Sequence, residues 1–378
     1  MTQTDRDACF NRQLTAWKRL LSNYLINQEE TMSSILQADR LPSTIEDEDA
    51  LEELLSKPTA WLPALLEKTP GDIMVLGVGG KVGPTLARMA KRAAPEKRVI
   101  GVARFSEPGL RERLESWGID AISCDLLDRD SVAALPDVPN IIYMAGKKFG
   151  TDEDPSFSWA MNTHVPALVA ERFRSSRIVA FSTLCVYPFA PIAGGGWDET
   201  VEPGPTGDYA TSCAGRERIF SFFSRRHGTP GRLIRLNYAI DMRYGVLHDI
   251  ATWVRDGTPI PIATAYASVI WQGDSNAQIL GALAHCTTPT TPLNVGGPEH
   301  MSVRLVAHEF GRRLGRDPVF SGEEAQTGWY NTTLAAQRLY GYPTVALAQM
   351  IDWVADWIAR DMPSHHKPTH YEERAGQF

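Results

Sequence analysis

From Asp72 onward, short and continuously apolar stretches alternate with amphipathic ones. The apolar stretches are Ile73–Leu76, Val99–Val102, Ala121–Cys124, Ile141–Met144 and Ile178–Phe181, with Leu233–Leu236 later. Between and after them, apolar positions recur at helical spacing at roughly 84–94, 108–117, 158–173, 209–225 and 246–255. A strand that is apolar on both faces must be buried on both. Strands of that kind joined by helices form a parallel sheet covered on each side. The pattern predicts a doubly wound α/β sheet. Residues 1–70 read differently. Leu14, Trp17, Leu20, Leu21, Tyr24 and Leu25 follow helical spacing until Pro42 breaks it. The stretch DEDALEELLSKPTAWLPALLEK then carries its acids in its first turn, with Thr44 as the predicted N-cap. This is a helical extension, expected to pack against the domain or against a second subunit in a homodimer.

The first strand runs into Gly77-Val78-Gly79-Gly80-Lys81-Val82-Gly83, and a helical pattern follows at once. Gly77 permits the tight turn, Gly80 lets a phosphate approach the backbone, and Gly83 lets helix and strand pack closely. The helix N-terminus offers unpaired N–H groups and partial positive charge to a pyrophosphate. Strand before and helix after make this a dinucleotide site of the Rossmann type. The second strand identifies the expected dinucleotide. NAD sites usually place an acid at its end. Here Ala103 takes that place and Arg104 follows. A guanidinium suits a 2′-phosphate, and Lys81 adds another cation. NADP is therefore favoured, with NAD possible.

Composition narrows the partners. The chain has 378 residues, 43% of them hydrophobic and 22% charged, with a formal net charge of −7. That balance argues against nucleic acid or an anionic membrane surface, both of which demand a basic face. The five cysteines, Cys9, Cys124, Cys185, Cys213 and Cys286, are odd in number and widely spaced, and no metal-ligand spacing occurs. No signal pattern or long apolar run is visible, so a soluble, cytoplasmic protein with reduced thiols is expected.

Further segments follow in a set order. CDLLDRDSV contains Asp125 and Leu126, and YMAG spans Tyr143 to Gly146. WAMNTHVPALV contains Asn162, and FSTLCVYPF contains Thr183. RLNYAID contains Arg235 and Asn237, and LNVGGPEHMSV comes last. With the glycine turn, the chain from about 72 to 360 resembles the extended short-chain dehydrogenase/reductase family, the NAD(P)-dependent epimerase/dehydratase group. The resemblance implies that Asp125, with Leu126, contacts adenine. It implies that Met144, Ala145 and Gly146 lie beside the cofactor, together with Asn162. Thr183 then takes the catalytic Ser/Thr position.

The family's catalytic helix carries Tyr-x-x-x-Lys, but this chain has Tyr209-Ala210-Thr211-Ser212-Cys213. At i and i+4 the two side chains share one helix face, so Cys213 stands where the ammonium belongs. An ordinary tyrosine, with a pKa of ~10, must be brought down by roughly 4 kcal/mol to be half-ionised at neutral pH. A neutral thiol cannot do that. Tyr209 is expected to stay a phenol, able to donate a proton and poor as a base. Three possibilities stand open. Another group is the base, or Lys147 or Lys148 supplies the missing charge, or the protein binds the dinucleotide without redox chemistry.

Many family members hold a sugar nucleotide's diphosphate with an arginine shortly before a strand ending in an acid. Aligning Asp274 with that acid leaves Ala267 or a neighbour in the arginine's place, and no arginine occurs between Arg255 and Arg304. A free sugar, sugar acid or lactone fits better, with Asn237, His248, Trp271 and Gln272 as candidate pocket walls. The expected organisation is a helical extension over 1–70 and a dinucleotide-binding core over 71–240. A smaller substrate lobe over 241–378 returns segments to the core.

Overall fold

The computed structural model describes residues 34–150 and 154–376. The expected helix over Leu14–Leu25 lies outside them. Seven parallel strands form the central sheet: β1 Ile73–Leu76, β2 Val99–Ala103, β3 Asp120–Ser123, β4 Asn140–Tyr143, β5 Arg177–Thr183, β6 Gly231–Leu236 and β7 Thr291–Val295. Their order is β3-β2-β1-β4-β5-β6-β7. The sheet is doubly wound and Rossmann-type, as the alternation of apolar and amphipathic stretches predicts.

Helices cover both faces because β1 and β4 are buried along their whole length. One face holds Gly83–Ala93, Leu110–Ser116 and Gln272–Gly281, whose Leu86, Leu114 and Ile279 pack with Val75 and Ile142. The other holds Val165–Arg172 and Gly207–His227, with Val169 and Phe220 against Leu76 and Ile141. A separate core joins helices Val246–Asp256, Val303–Leu314 and Leu347–Ala359 around Trp271, Trp353 and Trp357.

The acidic stretch of the N-terminal extension starts later than Thr44. Asp47 caps helix Glu48–Leu55, its Oδ1 accepting from Ala50 N at 2.8 Å. A second short helix, Leu62–Glu67, follows Pro58. Together they staple the two cores: Leu51 and Leu55 enter the C-terminal core, Leu62 and Leu66 the sheet core. Glu53 adds ion pairs to Arg88 and Arg92.

β1 pairs with β2 on one side and β4 on the other, with Leu76 opposite both Val102 and Tyr143. The chain therefore leaves β1 and β4 in opposite directions, which opens a crevice beyond their carboxyl ends. Deeper in the sheet, Ser182 of β5 and Arg235 of β6 meet Glu217 of the helix over them. Ser182 Oγ donates to Glu217 Oε1 at 2.6 Å, and Arg235 donates to the two carboxylate oxygens at 3.0 and 2.8 Å. Both charged side chains are buried, at 4% and 6% exposure. Removing one partner of such a pair strands a charge in low dielectric. Glu217→Ala should therefore cost about 3–5 kcal/mol in urea unfolding. A loss below ~1 kcal/mol would show that water reaches the pair.

Candidate active site

The crevice is a cleft of about 260 Å³ at the switch point. Gly77, Gly79 and Gly80 line it from the turn after β1, and Met144, Ala145 and Gly146 from the end of β4. Ala103 and Arg104 line it after β2, and Asp125 and Leu126 after β3. Gly77 has φ +91°, and a Cβ there would lie 2.7 Å from the backbone nitrogen of Ala145. A Cβ on Gly83 would lie 2.2 Å from the Val78 carbonyl oxygen, so no side chain fits between helix and turn. Gly80 is different: a Cβ there meets nothing closer than 3.7 Å and would project into open cleft. Backbone is thus laid bare at one end, with a carboxylate and an exposed arginine at the other. Those features suit the adenosine and phosphate groups of a dinucleotide.

Lys81 does not share that task. Its Nζ donates to the Ala239 carbonyl at 3.3 Å and sits 4.2 Å from the centre of the Tyr244 ring. Burial brings its pKa down to about 8, opposed by Asp241. The turn sends it toward the C-terminal lobe, away from Arg104, so it is not a second cation for a 2′-phosphate. Val82 also lies outside the cleft lining.

At the end of β5 the Thr183 hydroxyl lies near the Tyr209 phenol, close enough to favour its ionised form slightly. Tyr209 also meets the Cys213 thiol, and the Thr183 hydroxyl accepts from Cys185 N at 3.2 Å. Burial pushes Tyr209 well above its ordinary range; Cys213 and Cys185 add to this and Arg216 opposes it. Burial likewise raises the Cys213 thiol, against Arg216. Both remain protonated near neutrality.

Two cations flank this pair. Lys148 turns inward, where Cys185 and Cys213 lie within its electrostatic reach, and burial lowers its pKa. Lys147 turns away, its ammonium 5.0 Å from the Phe157 ring centre. The second cation, Arg216, was not singled out in the sequence. It lies three residues beyond Cys213, on the face that Tyr209 and Cys213 share. Its guanidinium donates to Phe181 O at 3.0 Å and to Asn162 Oδ1. Asn162 in turn accepts from Lys147 N at 3.0 Å and donates to Lys147 O and Ser212 Oγ, both at 2.9 Å. Asn162 therefore knits the β4 loop to the tyrosine helix and is not part of the cleft lining. Helical spacing from Tyr209 was the signal that could have found Arg216.

The other candidates are dispersed. Asn237 Nδ2 donates to Asn331 Oδ1 at 3.0 Å, with its own oxygen taken by Tyr238 N. His248 is buried, its pKa brought down to about 4 by burial, and its Nε2 has no partner. Trp271 is fully buried against Trp353, 5.3 Å between ring centres, and Gln272 bonds Thr85 at 3.2 Å on the glycine-turn helix. Both are fully buried. Trp271 ends a short apolar strand inside the C-terminal core, Gln272 begins helix Gln272–Gly281, and neither lines the cleft.

No family model matches the sequence, and no curated protein matches it. Solved structures do. UDP-glucose 4-epimerase of Thermus thermophilus in complex with NAD is 20% identical, with TM-score 0.62 over 75% of this chain and 98% of that one. UDP-glucuronic acid 4-epimerase of Bacillus cereus, with UDP-glucuronic acid and NAD, is 19% identical, with TM-score 0.63 over 76% and 99%. An epimerase of Methanothermobacter thermautotrophicus is 15% identical, with TM-score 0.64 over 80% and 96%. The chain has the epimerase fold. No helix among the described residues is long and apolar enough to cross a membrane.

The buried phenol gives a direct check. The ultraviolet difference spectrum of wild type minus Tyr209→Phe should show no tyrosinate signal below about pH 10. A step near neutral pH would mean that Lys148 and Arg216 outweigh burial.

Proposed function

We propose that this chain binds a nicotinamide dinucleotide in the cleft and catalyses reversible hydride transfer on a small, carbohydrate-derived substrate, as an epimerase, dehydratase or dehydrogenase. The observation that carries the reading is the placement of Tyr209 near Thr183 at the end of β5, beside a glycine-floored cleft. The likeness to NAD-bound epimerases supports the same reading. When bound, the dinucleotide supplies or accepts the hydride.

The chain's own groups do the rest. Thr183 and Tyr209 together hold the reacting oxygen; the Tyr209 phenol gives it a proton when hydride is delivered, and its phenolate takes the hydroxyl proton back when hydride is removed. Lys148 and Arg216 stand in for the ammonium that Cys213 lacks, each favouring a developing negative charge at the phenol. The absence of an arginine between Arg255 and Arg304 favours a free sugar, sugar acid or lactone over the UDP-sugars named for the solved relatives.

A second reading rests on one observation. With Cys213 in place of lysine and Tyr209 pushed upward, the protein would bind the dinucleotide without turnover and act as a sensor of it. A change in nicotinamide absorbance on adding sugars, sugar acids or lactones separates the two readings. Tyr209→Phe should abolish that change while leaving dinucleotide affinity nearly intact. Calorimetry then checks the cofactor. Arg104 at the cleft wall should favour NADPH, and Arg104→Asp should weaken it roughly tenfold or more while sparing NADH. Equal loss for both, or none, would remove Arg104 from the 2′-phosphate site.

A further inference from the structure

The chain beyond the last helix turns back across the molecule and is clipped to it at successive points. His365 N donates to the Arg243 carbonyl at 3.0 Å. Thr369 donates twice to Asp249 Oδ2, from its nitrogen at 2.9 Å and its hydroxyl at 2.6 Å. Lys148 Nζ donates to the Thr369 carbonyl at 3.1 Å. Tyr371 is 1% exposed, and Glu372 lies within the electrostatic reach of Lys148 and Tyr238. Arg374 donates to Thr327 O and Thr327 Oγ1, both at 2.8 Å, with its guanidinium 4.2 Å from the Phe189 ring centre. Gly376 then crosses Gly207, the first residue of the tyrosine helix, where a Cβ would lie 2.3 Å from Gly376 O.

The points touched are the loop after β4, the helix Val246–Asp256, Phe189 and the start of the tyrosine helix. Of these, the loop after β4 brings Lys148 within reach of Cys185 and Cys213, and the tyrosine helix carries Tyr209. Phe189 itself packs with Tyr209 and Cys185. The lining of the open cleft stops at Gly146 and Met161 and includes neither Thr183 nor Tyr209.

We infer that residues 363–376 form a strap that roofs the Tyr209 end of the cleft and controls what reaches it. The cofactor's adenosine end lies in the open part, whereas a substrate gains Tyr209 and Thr183 only when the Thr369 and Arg374 clips release. Calling this the substrate end rests on the function proposed above; the roof itself does not. An extended substrate would have to displace the strap, so the strap also sets an upper size for what is enclosed beneath it.

Cys185 and Cys213, both buried and both within electrostatic reach of the Lys148 that holds Thr369, are to report its opening. Cys286 lies at the opposite end of the sheet, next to the residues that pair with the start of β6, and serves as the control. The full-length protein is labelled with a maleimide and the modified cysteines are mapped by mass spectrometry, without dinucleotide or substrate. Hydrogen exchange of the strap amides is followed in parallel. Thr369→Val with Arg374→Met removes hydrogen bonds made to a carboxylate and by a guanidinium. It should speed labelling of Cys185 and Cys213 roughly tenfold or more, accelerate exchange over 363–376, and leave Cys286 unchanged. Faster strap exchange with unchanged Cys185 and Cys213 would show that the strap covers something else. No change in either would show that these clips do not hold it. If Cys286 labelling also rises, Arg374→Met alone, which keeps the Thr369 clip, decides by the same comparison. Because no cofactor is added, failure here leaves dinucleotide binding untouched, and failure of dinucleotide binding leaves the strap untouched.

Discussion

The close approach of two backbones at the ends of β1 and β4 governs the rest of the site. Gly77 can stand against Ala145 only because it has no Cβ and takes a positive φ. That contact fixes where the glycine turn and the Met144–Gly146 segment sit relative to each other. It also leaves backbone, not side chains, as the floor of the cleft. Gly83 imposes the second contact, holding its helix against Val78 so that the helix begins at the cleft edge. A site formed in this way can take a phosphate group close to main-chain N–H groups.

Beyond Gly146 the character changes from open backbone to enclosed polar side chains. Arg216 beneath Gly146 and Asn162 between the β4 loop and the tyrosine helix join the two halves of the site. Two cations reach the tyrosine helix from different directions, Lys148 from the loop after β4 and Arg216 from one turn beyond Cys213. Burial keeps Tyr209 protonated, and the Arg216 guanidinium works against it.

The sheet was legible in the sequence because its strands are apolar on both faces and its helices are not. The glycine turn, Arg104, Asp125 and the Tyr209–Thr183 pair were legible because each sits at a strand end or on a helix face, where local spacing sets position. What spacing does not carry is direction over long range. Lys81 looked like a cleft cation, yet the turn aims it at Ala239, more than 150 residues onward. Trp271 and Gln272 looked like pocket walls, yet they belong to a strand and helix buried between the two cores. Asp249 and Thr369 gave no local signal, since their pairing exists only through the path of the strap.

The central claim is that the glycine-floored cleft binds a nicotinamide dinucleotide, and Gly80 tests it most directly. Its missing Cβ leaves room in the fold, but a side chain there would enter the space assigned to the phosphates. Gly80→Val should therefore melt within a few degrees of wild type, while calorimetric affinity for NADH and NADPH falls at least about tenfold, the equivalent of ~1.4 kcal/mol. Undiminished affinity in Gly80→Val, or no binding of either dinucleotide by the wild-type protein, would contradict the account.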